Sequence, residues 1–105
     1  MDITGVVYSF YSDECSDFYI GSSTSPKTIQ QRHRQRARAF KMSPLCCKMR
    51  EIGVEKWKVE IIEVNVPYSQ LLYRQQYYLD TLSPLLNNRK AVIMMDYDYY
   101  GNKKE

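Results

Sequence analysis

Gly5-Val6-Val7-Tyr8-Ser9-Phe10-Tyr11, then Phe18-Tyr19-Ile20-Gly21-Ser22-Ser23, are the stretches whose reading decides the fold. In the first, side chains alternate, with Val6, Tyr8 and Phe10 on one side and Val7, Ser9 and Tyr11 on the other. Ser12 to Asp17 is turn material, so the second stretch reads as the returning strand of an antiparallel hairpin. Tyr8 and Tyr19 then stand side by side on that hairpin. Two phenols facing arginines are a way to hold and attack a phosphodiester.

Outward from the hairpin the pattern turns helical. Ser25 or Thr28 can cap a helix, with Pro26 in its first turn, running to about Phe40. Ile29, His33, Arg36, Ala37 and Phe40 fall near one of its faces. Ser43-Pro44 opens a second helix that ends near Gly53. Trp57 to Val66, rich in β-branched residues and bounded by Pro67, reads as a third strand. Tyr68 to about Leu82 reads as a third helix, stopped by Pro84. The order β-β-α-α-β-α predicts an α+β fold, a small three-stranded antiparallel sheet flanked by helices. The segment from Arg89 to Glu105 has no clear assignment.

At 105 residues, 44% of them apolar, the chain can bury one core. No apolar run is long enough to cross a bilayer, and Met1 leads straight to Asp2 and a strand. No membrane partner and no secretion signal are therefore expected. Three cysteines, Cys15, Cys46 and Cys47, make a poor disulfide framework and suggest a reducing, intracellular setting, cytoplasmic or nuclear. They read as buried spectators, and one histidine adds no zinc-ligand spacing.

The net charge of +3 hides an uneven distribution. Between Phe18 and Arg50 there is no Asp or Glu, while Lys27, Arg32, Arg34, Arg36, Arg38, Lys41, Lys48 and Arg50 all fall there. Such a field suits a polyanion, DNA or RNA, with Lys27, Arg34, Arg38 and Lys41 as candidate contacts. The bland alternative is a solvated helix face. Arg32 and Arg36, four apart, stack on one side of their helix and offer two guanidiniums for phosphate oxygens. His33 could be an acid or a base, but no carboxylate close in sequence would orient it. In the third helix Leu72, Gln75, Leu79 and Leu82 recur on one face, which puts a carboxamide amid apolar residues. It is either a satisfied core glutamine or a functional group looking inward.

In this order, VVY, YIGSS, Ile29-x-x-Arg32-x-x-x-Arg36, RQQYYL and Asn87 resemble the GIY-YIG nuclease domain from Gly5 to about Asn88. Ten residues separate Tyr8 from Tyr19, within that family's spread. The resemblance implies a domain over residues 1–88, with residues 89–105 as an extension. It also implies hydrolysis of a DNA phosphodiester assisted by one Mg²⁺ or Mn²⁺. Tyr8 and Tyr19 would orient the attacking water and hold phosphate, Arg32 would balance the developing charge, and Asn87 would complete the catalytic set. Arg36 stands where the family often has His or Tyr. VVY departs from GIY, with Gly5 one place early.

Gln75 stands where the family carries its metal-binding glutamate. A hard cation prefers anionic oxygen, so a neutral amide there predicts weak metal binding and an inactive or impaired enzyme. Two other readings remain: a catalytically dead nucleic-acid-binding module, and a scaffold for protein contacts through Tyr97, Tyr99 and Tyr100.

Overall fold

Alternating side chains and short polar turns build the sheet seen in the computed structural model, which describes residues 3–104. Strands β1 (Thr4–Ser12), β2 (Cys15–Ser23) and β3 (Trp57–Pro67) form one antiparallel sheet in the order β2-β1-β3. Helices α1 (Ile29–Arg38) and α2 (Pro44–Ile52) precede β3, and α3 (Leu71–Leu82) follows it. The fold is α+β, in the expected element order. Among the described residues no helix is long and apolar enough to cross a membrane.

β1 is the central strand and is buried on both faces, which its run of Val6, Val7, Tyr8 and Phe10 allows. Val6, Tyr8 and Phe10 pack with Ile29, Ala37, Met49 and Trp57 beneath α1 and α2. Val7 and Ile20 pack with Val66 and Leu71 on the opposite face, beneath α3. α2 begins as its sequence dictates: Ser43 Oγ accepts from Cys46 N at 3.1 Å, and Pro44 fills the first turn. Gly53, at φ 128°, ends it with a backbone that side chains rarely adopt.

Several boundaries differ from expectation. The hairpin turn is only Asp13-Glu14, because Ser12 pairs directly with Cys15, and a bulge absorbs the extra residues of β2. Pro26–Thr28 is a 3-10 turn, and neither Ser25 nor Thr28 caps α1 with its side chain. Phe40 lies beyond the end of α1 at φ 57° and is 73% exposed, instead of joining the buried face. On α3, Leu72 and Leu82 are about half exposed, while Arg74 and Gln76 are buried at 8% and 3%. Only Cys46 of the three free cysteines is buried.

Candidate functional site

The site lies where side chains of α1 reach the β1–β2 hairpin. Tyr8 pairs with Gly21 across the β1–β2 ladder, and Tyr19 pairs with Phe10, so the two phenols are diagonal neighbours on one face. Their ring centroids are 6.4 Å apart. Gly21 is needed there: a Cβ at this position would come within 2.4 Å of the Tyr8 hydroxyl and 2.9 Å of the Tyr19 ring. The missing side chain lets the Tyr8 ring lie across β2.

His33 completes the cluster. Its ring stacks on Phe10 at 4.7 Å and meets Tyr19 edge-on at 5.3 Å. Its Nε2 lies 2.7 Å from Tyr8 Oη, a hydrogen bond whose direction the imidazole tautomer sets. Burial, with Arg32 and Arg36 as its neighbours in the helix, drops the His33 pKa to about 4, so the ring is neutral at pH 7. Burial and the Tyr19 phenol hold Tyr8 well above the ordinary phenol value, against the opposing pull of Arg32. Burial likewise raises Tyr19, opposed by Arg36. Both phenols therefore stay protonated and serve as neutral hydrogen-bonding groups. His33 was weak in the sequence because its partner, Tyr8, lies 25 positions away.

A cleft of about 420 Å³ opens beside this cluster, lined by Tyr19, His33, Arg36, Cys46, Asn88 and Arg89 among others. Among the described residues no Asp or Glu lines it. Arg32 lies close by and donates to Ser23 Oγ at 2.7 Å. The other basic residues divide. Arg34 donates to the carbonyls of Glu55 and Trp57 at 3.2 Å and pairs with the Glu55 carboxylate at 3.1 Å. Arg38 pairs with the same carboxylate. Both are candidate nucleic-acid contacts, and here they tie α1 to the segment before β3 through Glu55. The compensating acid comes from outside the basic stretch, which reading along the chain does not reveal. Lys27 and Lys41 are exposed.

Gln75 and Asn87 meet the site from the other side, at the outer edge of β2. Asn87 Oδ1 accepts from Ile20 N and Asn87 Nδ2 donates to Ile20 O, both at 2.8 Å. The carboxamide thus stands in for a neighbouring strand and satisfies an edge residue whose polar groups β1 does not reach. Asn87 positions Tyr19, the adjacent residue, and is not among the groups lining the cleft. Gln75, on α3, accepts from Ser22 Oγ at 2.7 Å and donates to Ile20 O at 3.2 Å. It is partly buried and satisfied, and it binds α3 to β2. Tyr8, Arg32, Gln75 and Asn87 therefore converge on residues 20–23 of β2, beside Tyr19, but Gln75 reaches them from the face of the sheet opposite Tyr8.

The side chains present do not fit a divalent cation. Among the described residues no three His, Cys, Asp or Glu converge. The Gln75 oxygen is taken by a hydroxyl, and its nitrogen faces a carbonyl that Asn87 also binds. Tyr97, Tyr99 and Tyr100, the candidate docking residues, pack back on Tyr73, Tyr77 and Arg74 of α3. No known family model, curated protein or solved structure matches this chain.

Proposed function

We propose that this chain is a GIY-YIG-type endonuclease domain that holds a nucleic-acid phosphodiester, foremost of DNA, and is inactive or severely impaired in cutting it. The observation that carries this reading is the state of Gln75. Its NH2 group donates to Ile20 O, a contact that a carboxylate cannot make. At the place where the resemblance implies a metal-binding acid, the chain has a neutral group spent on an internal crosslink.

The remaining residues suit anion binding. Arg36 lines a cleft with no Asp or Glu among its described lining residues, and Arg32 sits one turn away, both with planar guanidiniums forked to match phosphate oxygens. Neutral Tyr19 offers an O–H to the same anion. Neutral His33 shares a hydrogen bond with Tyr8 at 2.7 Å and so fixes the phenol's position, and Asn87 keeps the β2 edge in register. These groups would bind and orient a phosphate. They do not supply the charge of the missing acid.

Binding and cleavage of supercoiled and branched DNA, with Mg²⁺ or Mn²⁺ present, test the reading. The unaltered chain is expected to bind with strong salt dependence and leave DNA intact, Arg32→Ala and Arg36→Ala to weaken binding, and Gln75→Glu to restore cutting. Robust cutting by the unaltered chain would overturn the impairment. Silence from both proteins, with binding retained, would leave a binding module.

A further inference from the structure

We infer that the C-terminal segment is the second wall of the cleft, and that Arg89 closes on the same phosphate that Arg36 faces from α1. This rests on the nucleic-acid reading above. Asn88 and Arg89 line the cleft together with Tyr19, His33 and Arg36, although they follow the last helix of the core. No Asp or Glu is found among the described residues that line the cleft, so the two guanidiniums face a space suited to an incoming anion. Arg89 also borders a more open groove, where Asp80, the one carboxylate among its described lining residues, is already bonded to Gln76 and Tyr99.

The segment is pinned on both sides of Arg89. Before it, Asn87 is double-bonded to the Ile20 backbone at 2.8 Å. After it, Gln76 Oε1 accepts from Ala91 N at 2.8 Å and Val92 N at 3.4 Å. Gln76 is buried on α3, and its Nε2 donates to Asp80 Oδ1 at 2.7 Å. Farther on, Tyr99 Oη donates to the second Asp80 oxygen at 2.7 Å, Tyr97 and Tyr100 pack on Tyr73 and Arg74 of α3, and a Tyr97–Lys103 bridge turns the segment back on itself. Only Asn88, Arg89 and Lys90 lie between the two anchors. Holding a short loop at both ends lowers the entropy lost when its arginine engages a ligand. Gln76 is then a positioning residue, acting on phosphate through Arg89.

Anisotropy of a short labelled DNA duplex, titrated with the full chain over a salt series, tests this. Arg89→Ala is expected to weaken binding roughly tenfold at low salt and to reduce the salt slope by about one. Gln76→Leu should reproduce that change, and the double variant should be no weaker than Arg89→Ala alone. Lys104→Ala, exposed in the same segment outside the cleft, controls for loss of charge and should leave the slope unaltered. If Arg36→Ala weakens binding while Arg89→Ala behaves like Lys104→Ala, the second wall falls and the phosphate site stands. If the unaltered chain shows no salt-dependent binding, both fall. The Arg89 side chain is exposed, so its variant remains a valid test even where Gln76→Leu unfolds the chain.

Discussion

Beneath α1 and α2 the sheet is covered by Phe10, Trp57, Ile29 and Met49, whereas α3 meets the opposite face with Leu71 and Leu79 and adds polar contacts through Arg74, Gln75 and Gln76. The first face is held by apolar burial, which is large and non-directional. The second adds hydrogen bonds: Gln75 to Ser22 and Ile20, Gln76 to the C-terminal segment, and Arg74 to Glu63 at 3.1 Å. Each such bond contributes less than a buried aromatic ring but fixes direction. The site draws on both faces. Its rings come from the packed side, and the β2 edge that carries Tyr19 is held from the hydrogen-bonded side.

Removing a fully buried ring from the packed face should produce the largest effect. Trp57→Ala is expected to cost about 3–5 kcal/mol, read as a lower midpoint in urea denaturation. A loss below about 1 kcal/mol would show that this face is not the main source of stability.

His33 makes the packed face sensitive to acid. Its folded pKa of about 4 lies below the ordinary 6.5, so folding favours the neutral ring. That contribution is complete above pH 6.5 and is lost as pH falls toward 4, up to about 3 kcal/mol. Melting temperature should drop across this window, and His33→Phe should flatten the drop. An equal slope in both proteins would remove His33 from the account.

On the hydrogen-bonded face, Gln75→Glu sets a carboxylate against Ile20 O. Without divalent ions it should destabilise by about 1–3 kcal/mol, and Mg²⁺ or Mn²⁺ should return part of that. Thermal melts with and without EDTA check it, and unchanged stability would mean that the crosslink is idle. The smallest effect belongs to the surface: Arg38→Ala, more than half exposed against Glu55, should shift stability by less than about 1 kcal/mol. A larger loss would give that ion pair a part in anchoring α1.

Local pattern was legible wherever one residue's neighbours in sequence are also its neighbours in space. The strand alternation put Val6, Tyr8 and Phe10 on one face, and Ser43-Pro44 marked the start of α2, both as found. The helical spacing of Leu72, Gln75, Leu79 and Leu82 held for Gln75 and Leu79, which face the sheet, and failed for Leu72 and Leu82, because the C-terminal segment covers another side of α3 and buries Gln76 there. Arg34 and Arg38 looked free because Glu55, their partner, lies on another element.

Composition and spacing by themselves determined an antiparallel hairpin, three helices, a sheet of three strands and two tyrosines set side by side. Periodicity is a property of the backbone, and it survives whatever packs against it. Only the tertiary structure decided that His33 joins those tyrosines, that Gln75 is a crosslink at a strand edge, and that Arg89 belongs to the cleft. Each depends on groups from 25 to 67 positions apart, or on the path of a segment without periodicity, and such meetings are set by how the layers close.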